Sequence, residues 1–203
     1  MPQVAEHTYP GNTSMRLWRT TESFEDLQAR FARDGDLERY AAIKLGKRKR
    51  EWLGLQFLLR THPTPLELSY AETGKPVLPA GHITLSHCEE YIGMVTSDLP
   101  VGLDIQSPTP QLNRIRTKFC RADELDAAVI APDPLGLLTR IWSAKEALFK
   151  IYGTDVDFRE EMAYSTEEQD HIYLLKHGGM VRHELFTKKH ADMWMTLCLY
   201  LGG

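Results

Sequence analysis

One helical pattern constrains the fold of this chain more than any other feature. From Leu135 to Tyr152 nothing interrupts it, and Leu138, Ile141, Trp142, Phe149 and Tyr152 recur on one side. The loop Ala131-Pro132-Asp133-Pro134 precedes it and Gly153 ends it. A helix of that length with an apolar side has to pack on another layer.

The remaining segments supply that layer. Met15–Arg19, Ile83–Leu85, Ile92–Thr96 and Val101–Ile105 read as strands. In the last of these Val101, Leu103 and Ile105 alternate with Gly102, Asp104 and Gln106. Phe24, Leu27 and Phe31 share one face of a short helix. A second helix is expected from Leu37 to Leu59, with Leu45, Trp52, Leu55 and Leu59 on one stripe, ended by His62-Pro63-Thr64-Pro65. Gly74-Lys75-Pro76 is a turn, Ser107 to Pro110 breaks the chain, and Arg121–Ala128 is helical. Beyond Val156 strands follow, with a turn at His177-Gly178-Gly179 and a last strand from Trp194 to Leu201. The order of strand, helices and strands occurs twice, so the reading is α+β, in two halves of similar size. The expected boundaries are a loose N-terminus over 1–14, one half over 15–99 and the other over 100–203.

Net charge is −4, which argues against a general nucleic-acid binder. The positive charge is local: Lys44, Lys47, Arg48, Lys49 and Arg50 form a patch suited to an anion. Cys88, Cys120 and Cys198 are far apart and form no CxxC pair, so they read as buried free thiols rather than a zinc or disulfide framework. No apolar run has the length of a membrane span. The polar N-terminus lacks the plan of a signal peptide, and a cytoplasmic location is expected.

Four short segments carry groups capable of chemistry. In Val101-Gly102-Leu103-Asp104-Ile105-Gln106, strand alternation puts Asp104 and Gln106 on one face. There they either hold a hard cation or are simply solvated. Gly102 lets something approach the backbone closely. In Trp142-Ser143-Ala144-Lys145-Glu146-Ala147-Leu148-Phe149-Lys150, Glu146 and Lys150 are four apart. They form a surface pair, or a metal ligand beside a phosphate-binding lysine. Ser86 and His87 are adjacent and face opposite ways if the strand continues, a poor arrangement for a catalytic pair. In Phe119-Cys120-Arg121-Ala122-Asp123-Glu124-Leu125, Glu124 is either a general base facing a cleft or an acid favouring the helix dipole.

The ordered series GKP, SHC, VGLDIQ, FCRADEL and WSAKEALFK resembles the motifs of the 4′-phosphopantetheinyl transferase superfamily, in its larger single-chain type. The series spans residues 74–150. The resemblance implies a fold of two similar α+β halves related by a pseudo-twofold, acting as a monomer. It implies transfer of phosphopantetheine from coenzyme A to a serine of an apo acyl or peptidyl carrier protein. Asp104 and Glu146 would bind magnesium, with Gln106 beside them where many relatives have an acid. Weaker magnesium binding is the consequence expected of Gln106. Lys150 would stabilise charge on the transferred phosphate, and Glu124 would take the serine proton. Arg50 and Lys47 would hold the 3′-phosphate, and Lys75 and His87 the nucleotide or its phosphates. Lys145 would line the same cleft. Carrier proteins are generally acidic, so Arg114, Arg116, Lys118 and Arg121 are candidates for the docking surface. The alternative is a coenzyme A-binding scaffold with weak catalysis.

Overall fold

A computed structural model describes residues 4–31, 37–64, 66–176 and 178–202. The elements run β1 (Val4–Tyr9), β2 (Thr13–Arg19), α1 (Phe24–Phe31), α2 (Leu37–Ala42), α3 (Gly46–Arg60), β3 (Ser69–Tyr70), β4 (Pro76–Val77), β5 (His82–Cys88), β6 (Tyr91–Ser97) and β7 (Val101–Gln106). They continue with α4 (Pro110–Phe119), α5 (Ala122–Ile130), α6 (Pro134–Tyr152), β8 (Met162–Tyr164), β9 (His171–Lys176), β10 (Gly179–His190) and β11 (Met193–Leu199). The fold is α+β. One antiparallel sheet has the order β1-β2-β6-β5 and the other β7-β11-β10-β9-β8, with β3-β4 as a small ribbon.

Strand alternation explains the layering. Met15, Leu17 and Val95 of the first sheet meet Leu103, Ile105, Met195 and Leu197 of the second in a shared core. The opposite face of the first sheet, with Trp18, Ile92 and Met94, packs on Leu53 and Leu58 of α3. The opposite face of the second packs on Ile141, Ala144 and Leu148 of α6. α6 crosses β7 closely because Gly102 has no side chain: a Cβ there would lie 1.8 Å from the Ala147 carbonyl oxygen. Gly102→Ala is therefore expected to destabilise the fold by about 1–3 kcal/mol. A lowered urea midpoint with an unchanged slope would register it.

The two sheets join along β5 and β7 without a strand ladder. The Leu103 N–H donates to Thr84 Oγ1 at 3.2 Å and the Ile105 N–H to Ser86 Oγ at 3.0 Å. Side-chain hydroxyls thus satisfy the open edge of β7, which would otherwise leave buried donors unpaired. This seam carries the groups described below.

Several expectations change. Within the segment 1–14 expected to be loose, the described residues form a hairpin, β1 pairing with β2 from Val4↔Trp18 to Tyr9↔Thr13. The cause is the connecting turn, where Gly11 and Asn12 adopt φ of 70° and 50°, as hairpin turns demand. The helix expected from Leu37 to Leu59 is two helices, parted at Ile43–Leu45, with Gly46 opening the second. Its core side is Leu53, Leu55, Phe57 and Leu58, while Leu45 is 60% exposed. Pro110 starts α4 rather than breaking the chain, because proline suits the first helical turn. Leu27 of α1 is buried. The side chains of Phe24 and Phe31, and residues Pro65 and His177, lie outside the described residues. Cys120 and Cys198 are buried free thiols, and Cys88 is partly buried.

Candidate functional site

The seam gathers residues from three elements. Asp104 on β7 is 7% exposed, because α6 covers the face that alternation alone would leave to solvent. Its Oδ1 lies 3.2 Å from Lys150 Nζ and 3.4 Å from Ser86 Oγ. Lys150 also donates to the Leu103 carbonyl and, at 3.2 Å, to Ser86 Oγ. The other carboxylate oxygen, Asp104 Oδ2, is buried and has no hydrogen-bond partner among the described residues. A buried carboxylate oxygen without a partner carries a large desolvation cost unless a cation meets it.

Glu146 stands one helical turn before Lys150. Burial raises its pKa, the charge of Asp104 raises it further, and Lys150 opposes both. The raised Glu146 carboxyl and the Asp104 carboxylate that raises it are together the kind of donor set a hard divalent cation takes. Gln106, at the end of β7, is half-buried and donates Nε2 to the Ser107 carbonyl at 2.8 Å. Its carboxamide oxygen is the only ligand type it can offer a metal. The residues therefore fit a magnesium ion: an orphaned Asp104 oxygen, the Glu146 carboxylate beside it, and Lys150 compensating the remaining charge.

His87 and Ser86 do face opposite ways. Ser86 points into the seam, while His87 Nε2 lies 3.0 Å from Glu51 Oε1 of α3. Partial burial, with Lys47 and Lys150 acting in the same direction, pushes the imidazole pKa down against Glu51 and Asp104. Glu51, directly after the basic run that ends at Arg50, was not among the expected site residues. A cavity of about 740 Å³ opens between α3 and β5, walled by Leu45, Trp52 and Leu55, with Lys44 and Arg48 among its lining. Of the stripe Leu45, Trp52, Leu55 and Leu59, the first three line this cavity, while Leu55 also belongs to the core. Lys47 and Arg50 lie nearby on α3 but do not line it, and Arg48 does. On the other side of β5 a cavity of about 450 Å³ lies between the Gly74–Pro76 turn and the end of α6, with Lys75 and Lys150 in its lining. Lys75 Nζ donates to the Ile151 carbonyl at 2.9 Å, where the helix C-terminus favours a cation.

Two expected site residues are elsewhere. Lys145 does not line a cleft: it is fully buried and donates to Glu124 Oε2 at 2.6 Å, to the Phe119 carbonyl at 2.7 Å and to the Phe158 carbonyl at 2.9 Å. Glu124 is equally buried, and both its oxygens are occupied. Oε2 also accepts from the Arg121 N–H at 2.8 Å, and Oε1 from the Tyr164 N–H at 2.8 Å. Glu124 stands in the first turn of α5, as an acid favouring the helix dipole would. In this structure neither of its oxygens opens to a cleft. Arg114, Arg116 and Lys118 are exposed on α4, just ahead of it.

Residues 100–198, which hold Asp104, Glu146 and Lys150, match the model of the 4′-phosphopantetheinyl transferase superfamily. The 4′-phosphopantetheinyl transferase psf-1 of Bacillus pumilus is 32% identical over 102 residues, which cover 46% of this chain and 44% of that protein. The chain thus spans less than half of that relative's length. The segment 100–198, into which the motif series runs, is thus similar to the 4′-phosphopantetheinyl transferase superfamily.

Proposed function

We propose that this protein transfers the 4′-phosphopantetheine arm of coenzyme A to a serine of an apo acyl or peptidyl carrier protein, releasing adenosine 3′,5′-bisphosphate. The observation that carries the reading is the buried, unpartnered Asp104 Oδ2 beside Glu146, with Lys150 on the other Asp104 oxygen. Asp104 and Glu146 would hold magnesium, with Gln106 as a neutral third donor. A magnesium ion there would neutralise charge on the pyrophosphate of coenzyme A and steady the leaving bisphosphate.

In the transfer, the serine oxygen bonds to the phosphorus that carries the pantetheine arm, and the bond to the bridging pyrophosphate oxygen breaks. Such reactions need positioning and cationic stabilisation more than covalent help. Lys150 is the cation for the transferred phosphate. Lys75 from the turn, His87 from β5, and Lys47 and Arg50 from α3 suit the nucleotide phosphates. Glu124 acts from a distance, fixing α5 to α6 through Lys145. The basic face of α4 suits an acidic carrier.

The test is incubation with coenzyme A, magnesium and a panel of apo carrier proteins, followed by intact mass spectrometry of the carriers. The expected result is a mass gain of one phosphopantetheine, abolished by EDTA and by Glu146→Ala. No gain on any carrier, with coenzyme A still bound, would leave the scaffold reading instead.

A further inference from the structure

Ser86 lies at the centre of the seam and is buried, yet no step of the transfer uses it. Its hydroxyl meets three groups. The Ile105 N–H donates to Oγ at 3.0 Å and Lys150 Nζ donates at 3.2 Å. A hydroxyl oxygen has two lone pairs, and these two donors take both. Its single proton has one acceptor among the described residues, Asp104 Oδ1 at 3.4 Å. The hydroxyl cannot turn without losing a partner, so its direction is set by the backbone of β7.

That direction fixes the neighbouring carboxylate. Asp104 Oδ1 receives Ser86 on one side and Lys150, at 3.2 Å, on another. With Oδ1 anchored twice, Oδ2 is the oxygen left buried and open to a cation. Lys150 alone would let the carboxylate plane swing, because an ammonium is a point charge on a flexible stem. Thr84 supplies the contrast. Two residues earlier on β5, it is also buried, and its Oγ1 accepts from the Leu103 N–H at 3.2 Å, as Ser86 does from Ile105. Among the described residues Thr84 makes no hydrogen bond to Asp104 or Lys150. Two hydroxyls therefore close the edge of β7, and only one of them reaches the acid.

We propose that Ser86 is the positioning residue of the magnesium site, holding Asp104 so that Oδ2 is presented to the ion and Lys150 stays on the other oxygen. The proposal rests on the reading of Asp104 as a metal ligand. Partners behind a metal ligand set its orientation, and losing one weakens metal binding by about 10–100-fold. The lower end of that range applies, because Lys150 still holds Oδ1 when Ser86 is replaced.

The test is calorimetric titration of magnesium, alone and with coenzyme A, into metal-free wild type, Ser86→Ala, Ser86→Thr and Thr84→Val, with a urea midpoint for each. Ser86→Ala is expected to raise the magnesium dissociation constant about tenfold. The magnesium needed for half-maximal transfer should rise by a similar factor, with kcat at saturating metal much less affected. Ser86→Thr keeps the hydroxyl and should bind close to wild type. Thr84→Val leaves the Leu103 N–H unpaired, as Ser86→Ala leaves that of Ile105, so both should lower the urea midpoint. Thr84→Val should nonetheless keep the wild-type magnesium affinity. If Ser86→Ala does not fold, Ser86→Cys fills the same place with a weak donor and should show the same loss. Wild-type affinity in the Ala or Cys variant, no recovery in Ser86→Thr, or an equal loss in Thr84→Val would overturn the proposal while leaving Asp104 a ligand. A wild type that binds no magnesium, alone or with coenzyme A, would overturn the metal site itself and the proposed function with it.

Discussion

Glu124→Ala is expected to lower folding stability by about 3–5 kcal/mol. The reason is what remains behind. The Lys145 ammonium stays fully buried with only the Phe119 and Phe158 carbonyls as partners, and the Arg121 and Tyr164 N–H groups lose their acceptor. Burial already pushes the Lys145 pKa down, with Glu124 the main opposing influence. Removing the carboxylate takes that compensation away. Lys145→Met should be costly for the complementary reason, since it leaves Glu124 buried without its cation. The double variant should be less destabilised than the sum of the singles, because neither uncompensated charge remains. Thermal and urea denaturation measure all three. The same set decides what Glu124 does in transfer. A general base would give a collapsed kcat in a variant as stable as wild type. That result would return Glu124 to the reacting centre and require the α5 region to open when a carrier docks.

The seam was legible in the sequence to different depths. Asp104, Glu146 and Lys150 could be placed together because strand alternation and helical spacing assign faces, and because both segments resemble motifs of one family. The burial of Asp104 could not be read, since it depends on α6 crossing at Gly102, a contact 45 residues away in the chain. Lys145 did leave a signal. It sits four residues after Ile141 and three before Leu148, both buried, so its position on the helix is a core position. A lysine there demands a buried acid, but nothing local says that the acid is Glu124. The contacts of the Thr84 and Ser86 hydroxyls are likewise long-range, joining elements that no periodicity pairs. The N-terminal hairpin was readable in principle from Gly11-Asn12, and an overall polar composition hid it.

The second large effect concerns the metal. Magnesium at a hundredfold excess over its dissociation constant should stabilise the wild type by about 2.7 kcal/mol, raising Tm by roughly 5–10 °C. Asp104→Asn should abolish this increment and reduce transfer by about a thousandfold, since it removes a charged oxygen on which stabilisation of the transferred phosphate depends. In the absence of metal the same substitution should change stability little, by about 1 kcal/mol or less. It weakens the partly exposed pair with Lys150, but it also relieves the buried Oδ2 of its charge. These opposing contributions separate a metal ligand from a structural carboxylate. A structural Asp104 would destabilise the metal-free protein strongly on replacement and leave the magnesium increment in place. Differential scanning fluorimetry with and without magnesium reads both quantities, and neither depends on finding the carrier protein. Gln106→Glu adds a third point to the series. If the neutral amide limits the charge offered to the ion, the acid should enlarge the magnesium increment at a fixed metal concentration. An unchanged increment would mean that Gln106, tied by its own amide to Ser107, stands outside the coordination set.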